Sequence, residues 1–111
     1  MQITERTVSN VVILDLDGKL TLGEGDMQLR EHVVKLLEGG QKNILLNFKK
    51  VSRLDSSGLG EMVWAITTCL RYDAKLKVCA VPSKIMDLLQ SVRLSGALNV
   101  HPDEAAALAS Y

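Results

Sequence analysis

Residues 43–60 read NILLNFKKVSRLDSSGLG and pass from an apolar segment, through a short polar segment, into a glycine-containing turn. NILLNF (43–48) has the length and composition of a buried β-strand. After it, Leu59, Val63, Ile66 and Leu70 recur at helical spacing, which predicts a helix from Gly58 to about Arg71 with this stripe facing the core. A strand followed directly by a helix is the repeating unit of parallel α/β sheets.

The same two patterns alternate along the rest of the chain. The predicted strands are 2–7, 10–18, 43–48, 75–81 and ALNV (97–100), with a hairpin turn near Val8-Ser9-Asn10 and a stop at Asp17-Gly18. The other predicted helices carry Leu29, Val33, Leu36 and Leu37, closed by Gly39-Gly40; Ile85, Leu88, Leu89 and Val92, with Gly96 as the stop; and PDEAAALAS (102–110). The order β-β-α-β-α-β-α-β-α predicts an α/β fold with a mixed, mostly parallel sheet.

Length and charge restrict the class of protein. A chain of 111 residues is expected to form a single domain, residues 1–111. Lys plus Arg equals Asp plus Glu at 13 each, which gives no electrostatic reason to expect nucleic acid or an anionic membrane as a partner. The N-terminus lacks the basic and apolar regions of a signal peptide, so we expect a cytoplasmic protein.

The residues that usually bind metals are sparse. Cys69 and Cys79 are the only cysteines and have no CxxC spacing, so we expect two buried, reduced thiols, with a disulfide between them as the alternative. His32 and His101 are too scattered to complete a zinc site. We therefore expect neither a metal nor a cofactor.

One motif near the N-terminus has an enzymatic alternative. VVILDLDG (11–18) resembles the first motif of haloacid dehalogenase-type phosphatases, in which Asp15 would be the nucleophile and Asp17 the acid/base. That chemistry also needs a lysine and a downstream acidic pair at a strand end to hold Mg²⁺. No later predicted strand ends in paired carboxylates, which favours aspartates that simply face water beside a turn.

The segment LDSSGLG (54–60) admits several interpretations. It lacks the first glycine of a serine-hydrolase elbow and the lysine of a phosphate-binding P-loop. Ser56 or Ser57 is suited to cap the following helix. A hydroxyl on a strand-to-helix loop is also accessible to a kinase, and the helix amide groups favour the added phosphate.

VSRLDSSGLGEMV (51–63) resembles the signature of the STAS domain (sulfate transporter and anti-sigma-factor antagonist), and the chain as a whole resembles the small anti-anti-sigma factors of bacteria. The resemblance implies a STAS-like fold and a partner-switching role. The unphosphorylated protein would bind an anti-sigma factor that is also a serine-protein kinase, which would release the sigma factor. The kinase would end the interaction by phosphorylating the antagonist, and a serine phosphatase would reset it.

Within this resemblance the protein is a substrate and ligand, not an enzyme. The phosphoacceptor is the residue after the aspartate, here Ser56, with Ser57 as the second choice. The rest of the matching loop, which would contact the partner, comprises Asp55, Ser57, Gly58, Leu59 and Gly60.

Further surface residues complete the predicted site. Trp64 lies on the helix after the serines and is expected either to fill the edge of the core or to join the docking face, with Met62 beside it. Lys49, Lys50 and Arg53 precede the serines and either steer an acidic kinase surface or solvate the loop.

One stretch departs from the family pattern. Such proteins usually carry Gly-Glu-(Leu or Ile)-Asp after the second strand, whereas this chain has GKLTLGEG (18–25), with Lys19 and Thr21 in the acidic places. The altered loop lies near the switch serine in such folds. The departure therefore leaves the identity of the kinase open. The alternative function is a non-switching STAS interaction module in a larger signalling or sensor complex, in which Ser56 and Ser57 only cap the helix.

Overall fold

The computed structural model describes residues 1–92 and 98–111 and forms an α/β domain. Within these ranges the strands are β1 (Gln2–Val8), β2 (Val11–Leu20), β3 (Asn43–Leu54), β4 (Lys75–Cys79) and β5 (Val100–His101). The helices are α1 (Asp26–Glu38), α2 (Ser56–Arg71), α3 (Ser83–Ser91) and α4 (Glu104–Ala109). The predicted element order is confirmed.

The strands form one mixed sheet in the order β1-β2-β3-β4-β5. β1 is antiparallel to β2, and the remaining neighbouring pairs are parallel. The hairpin turn is at Ser9-Asn10, as predicted, because Val8 pairs with Val11 and Ser9 adopts a left-handed backbone with φ of 54°.

Two strands run further than the sequence pattern predicts. β2 does not stop at Asp17-Gly18 but continues to Leu20, and β3 continues from Phe48 to Leu54. The register between them shifts on either side of the Asp17–Gly18 pair, so the buried positions do not alternate regularly and the strand signal is lost. Both strands therefore end together, at the start of α2.

The last predicted strand is displaced toward the C-terminus, since β5 is Val100–His101 rather than 97–100. Its first predicted residue, Ala97, and the predicted helix stop Gly96 lie outside the described residues.

The sheet has a different cover on each face. The larger apolar core lies between the sheet and α1, α2 and α3, and includes all four predicted α1 residues. Cys69 belongs to this core, whereas Cys79 lies in a smaller cluster under α4; both are buried and unpaired, as predicted. On the side of the sheet that α4 covers, the surface near Asp15 and Asn47 is therefore left open.

The predicted inner face of α2 is partly wrong. Leu59 and Ile66 pack against the core, but Val63 and Leu70 are 43% and 68% exposed. The buried residues of α2 are Gly58, Met62, Ala65, Thr68 and Cys69. The helix carries apolar residues on more than one face, so spacing alone did not identify the buried one. In α3, Val92 lies just beyond the last turn and is likewise exposed.

Candidate functional site

The carboxyl end of β3 leads through one residue, Asp55, directly into α2. Asp55 has an extended backbone and is the N-cap, because its Oδ1 accepts a hydrogen bond from the backbone N–H of Gly58 at 2.9 Å. The prediction that Ser56 or Ser57 caps the helix is therefore wrong. An aspartate is as good a cap as a serine, and here it stands one residue before the first helical turn.

Ser56 and Ser57 are the first two residues of α2. The side chain of Ser56 is exposed and that of Ser57 is half-buried. Within residues 1–92 and 98–111 neither hydroxyl group makes a hydrogen bond, so neither caps the helix or joins it to a neighbouring element.

The second carboxylate oxygen of Asp55 binds the loop between β2 and α1. Oδ2 accepts a hydrogen bond from the backbone N–H of Leu22 at 3.1 Å. Both backbone hydrogen bonds favour the ionised carboxylate, and the bond from Gly58 is the larger cause of the lowered pKa of Asp55. Asp55 thus joins the β2–α1 loop to the start of α2.

The stretch that departs from the family pattern, residues 18–25, consists of the end of β2 and the β2–α1 loop. Thr21 and Glu24 exchange two backbone hydrogen bonds, of 2.8 and 2.9 Å, which hold the loop in a tight turn. Because Leu22 in this turn is bonded to Asp55, the expectation that the loop lies beside the serines is confirmed. Leu22 is 77% exposed and was missed by sequence reasoning, although a leucine in a polar loop was a signal for it.

The two glycines near the start of α2 differ in their surroundings. A Cβ on Gly58 would lie 2.1 Å from the carbonyl oxygen of Leu20 and 2.5 Å from Cδ1 of Leu54, so only glycine fits without a shift. A Cβ on Gly60 would meet no atom within 4 Å. Gly58 therefore allows α2 to approach β2, whereas Gly60 faces open space.

Three predicted partner-binding residues further along α2 differ in exposure. Met62 has no exposed surface and belongs to the core, which corrects its assignment to the docking face. Leu59 is partly buried against the core. Trp64 also packs against the core and lies beneath Arg30 of α1, whose guanidinium carbon is 4.5 Å from the ring centroid.

Arg30 also forms a bidentate ion pair with Glu61, at 2.8 and 3.0 Å. The face of α2 that carries Ser57, Glu61 and Trp64 is therefore the face turned to α1. Arg30 had no signal in the sequence that related it to this site.

Basic residues lie at the ends of β2 and β3. Lys19 is directly opposite Arg53 in the parallel register, and Asp17 is opposite Lys50. Lys49, Lys50 and Arg53 are all exposed.

Asp15, the nucleophile of the phosphatase alternative, is held by other side chains. Its carboxylate accepts hydrogen bonds from Arg6 and, at 2.9 Å, from Asn47. The bonds from Arg6 are the main cause of its lowered pKa. Arg6 also binds Glu104 of α4, so this network fixes α4 to the sheet.

Two kinds of feature are absent from the described part of the chain. No group of three or more histidine, cysteine, aspartate or glutamate side chains is arranged to hold a metal ion. No helix there is both long enough and apolar enough to cross a membrane.

The sequence matches the family model of the STAS domain over residues 2–107. The chain belongs to the STAS domain family. The element order and the sheet described above are those of the STAS fold. No curated protein is similar enough in sequence to match the chain.

Several solved structures share the fold at low sequence identity. A candidate anti-sigma factor antagonist of Thermotoga maritima superimposes with a TM-score of 0.90 at 20% identity, covering 97% of this chain and 92% of its own. The Bacillus cell fate determinant SpoIIAA, in its phosphorylated form, has a TM-score of 0.75 at 19% identity, covering 99% and 100%. The murine Solute Carrier 26 family member A9 anion transporter has a TM-score of 0.80 at 12% identity, covering 95% of this chain and 18% of its own.

Proposed function

We propose that this STAS domain is a cytoplasmic anti-sigma-factor antagonist that is switched by phosphorylation of Ser56. The unphosphorylated form binds an anti-sigma factor that is also a serine-protein kinase. Phosphorylation ends this interaction, and a serine phosphatase restores it. The protein is then a substrate and a ligand rather than a catalyst.

The observation that carries this proposal is the capping of α2 by Asp55. Because Asp55 binds the amide of Gly58, the exposed hydroxyl of Ser56 is left available at the first position of the helix. A phosphate there adds about 1.5 to 2 negative charges beside the N-terminal amides of the helix, which favour an anion. The cap stays in place, so we expect phosphorylation to change the surface without unfolding the helix.

The comparisons support the same class of protein. SpoIIAA, an anti-sigma factor antagonist, has been solved in both its unphosphorylated and its phosphorylated forms, and both superimpose on this chain. Their sequences are 20% and 19% identical to this chain, so these similarities show a shared fold and no more.

The surroundings favour Ser56 over Ser57 as the acceptor. Ser57 is half-buried and precedes Glu61 by four residues, so the two lie on one face of the helix. That face is turned to α1 and is occupied by the ion pair between Glu61 and Arg30, so a phosphate on Ser57 would have less room than one on the exposed Ser56. Ser56 instead precedes Gly60 by four residues and meets no side chain there.

The test uses purified anti-sigma factors that carry a serine-kinase domain, taken one by one from the genome that encodes this protein. Each is incubated with Mg-ATP and with wild type, Ser56→Ala or Ser57→Ala, and the intact mass is measured. We expect one of them to add a single phosphate, about 80 Da, to wild type and Ser57→Ala but not to Ser56→Ala. The proposal is refuted if none of them binds or phosphorylates wild type.

A non-switching STAS interaction module is the second candidate. It is favoured by Lys19, near the end of β2, and by Thr21, in the loop bonded to Asp55, which stand where the family usually has acidic residues. The likeness to a domain of an anion transporter shows that this fold is also used inside larger proteins. The switch predicts that Ser56→Asp abolishes partner binding and Ser56→Ala preserves it, whereas the module predicts that both variants bind.

A further inference from the structure

A cavity of about 440 Å³ lies on the part of the sheet face that α4 leaves open. Its polar lining on β2 and β3 consists of Asp15, Asp17, Asn47, Lys49 and Lys50, and we refer to it as the open-face cavity. Sites for small molecules have volumes of about 300–1,000 Å³, so this cavity is large enough for a small ligand. Helix α2 packs on the opposite side of the sheet, which separates the cavity from the candidate phosphorylation site.

Two of the lining side chains are held by hydrogen bonds within the protein. The carboxylate of Asp15 accepts hydrogen bonds from Arg6 and, at 2.9 Å, from the side-chain amide of Asn47. The amide oxygen of Asn47 in turn accepts the backbone N–H of Lys49 at 3.1 Å. These contacts fix the backbone beside Lys49 before any ligand binds. They also occupy Asp15, which disfavours it as the nucleophile of a phosphatase.

A β-bulge brings both lysines to the same cavity. Asp15 pairs with Asn47 and Asp17 pairs with Lys50, so β3 has one residue more than β2 between the two pairs. Adjacent side chains of a regular strand point to opposite faces of the sheet. Because the bulge interrupts this alternation, Lys49 and Lys50 both line the open-face cavity.

The positive charges of these lysines are not neutralised within the described residues. Neither Lys49 nor Lys50 forms an ion pair there, although Asp17 is directly opposite Lys50. Two like charges in one cavity repel each other, and a ligand with two negative charges relieves this repulsion. A phosphate monoester carries about 1.5 to 2 negative charges near neutral pH and has three acceptor oxygens. A single carboxylate carries one charge and matches one lysine only.

The remaining polar groups of the cavity are suited to hydroxyl groups. Gln2 and Thr4 of β1 also line it. In the described part of the chain, neither their side chains nor the carboxylate of Asp17 makes a hydrogen bond, so all three are available to a ligand. None of the described lining residues is aromatic, so a nucleobase would find no ring on which to stack.

We propose that the open-face cavity binds a sugar phosphate, that is, a phosphate monoester that carries hydroxyl groups. Lys49 and Lys50 bind the phosphate through charge-assisted hydrogen bonds. Asp17, with the two side chains of β1, binds hydroxyl groups of the sugar. The site is independent of the phosphorylation of Ser56, since it uses the other face of the sheet.

The first test is a titration of the full, ¹⁵N-labelled chain, followed through its backbone amide NMR signals. The probes are ribose 5-phosphate, ribose, inorganic phosphate and succinate, each added to millimolar concentration. We expect ribose 5-phosphate to shift the signals of Asp17, Lys49 and Lys50 and to bind more tightly than inorganic phosphate or succinate. Ribose, which lacks the charge, is expected to leave these signals unchanged.

The second test uses variants with a matched control. Lys49→Gln and Lys50→Gln are each expected to weaken the binding of ribose 5-phosphate by at least about tenfold, because each removes a charge-assisted hydrogen bond. Lys84→Gln makes the same change at an exposed lysine of α3, on the other side of the sheet, and is expected to leave binding unchanged. Asp17→Asn is expected to weaken the binding of ribose 5-phosphate but not that of inorganic phosphate.

Four results would overturn the proposal. With no shift at any probe concentration, the open face is simply solvated. Shifts confined to residues 56–58 would place the phosphate at the start of α2 instead. Equal binding of succinate and ribose 5-phosphate would make this a dicarboxylate site. An equal loss of binding in Lys84→Gln and Lys50→Gln would indicate general attraction by charge. Each of these results leaves the proposed function of Ser56 untouched.

Discussion

Replacing Gly58 by alanine tests how closely α2 approaches β2. The new Cβ would lie 2.1 Å from the carbonyl oxygen of Leu20, a backbone atom that cannot rotate away, and 2.5 Å from Cδ1 of Leu54. Inserting a methyl group into a packed core costs about 1–3 kcal/mol, and removing a glycine from a helix returns about 0.5–1 kcal/mol. Since the obstacle is main chain, we expect the upper part of this range and a net loss of about 2 kcal/mol.

The assay is thermal and urea unfolding of Gly58→Ala beside Gly60→Ala, which makes the same chemical change two residues further along the helix. A loss of about 2 kcal/mol lowers the melting temperature of a domain of this size by about 8 °C. Gly60→Ala, which meets no atom within 4 Å, is expected to raise it by about 2–4 °C. If Gly58→Ala is as stable as wild type, the close approach to Leu20 and the reasoning from it are refuted.

Three further predictions concern buried and titrating groups. Arg6 lowers the pKa of Asp15, so the stability that Asp15 contributes is complete above the unfolded pKa of about 3.9 and is lost as the pH falls toward the folded pKa. Urea unfolding at several pH values between acid and neutral should therefore show that acid lowers the stability of Asp15→Asn less than that of wild type. An equal loss of stability in the two proteins contradicts this account. Burial raises the pKa of the thiols of Cys69 and Cys79 to about 11, so a thiol reagent such as DTNB should label them only after unfolding, and rapid labelling of the native protein would be the contrary result. The hydroxyl of Tyr111 donates a hydrogen bond to a carbonyl of β3, so Tyr111→Phe should cost about 1 kcal/mol in denaturant unfolding, whereas no measurable cost would mean that this bond is not formed in solution.

The fold was predictable because each element carries its own local signal. In helix α1 all four apolar residues of the predicted stripe are buried, although Asp26 is buried with them and Met27 is exposed. In α2 the buried face includes Gly58, which is covered by main chain rather than selected for hydrophobicity, while the large apolar residues Val63 and Leu70 face solvent. Spacing of apolar residues cannot detect a contact made by a backbone carbonyl.

The candidate site was located by its motif, but its internal roles depend on geometry. Which of three consecutive polar residues caps the helix depends on where the extended backbone ends, and the boundary falls at Asp55. The bond from Asp55 to Leu22 joins residues 33 positions apart, which no local pattern records. Arg30 reaches Trp64 only because α1 packs beside α2.

The capping of α2 by Asp55 also bears on how this protein can change over evolution and in the laboratory. Because the side chain of Asp55 caps the helix, we expect that replacing Ser56 or Ser57 by another residue has little effect on folding. Under the proposed function, substitutions at Ser57 are therefore filtered mainly by recognition of the kinase, whereas Ser56 has to keep its hydroxyl group. Under the same proposal, position 57 is the place to alter the pairing with a kinase while the fold of the domain is kept.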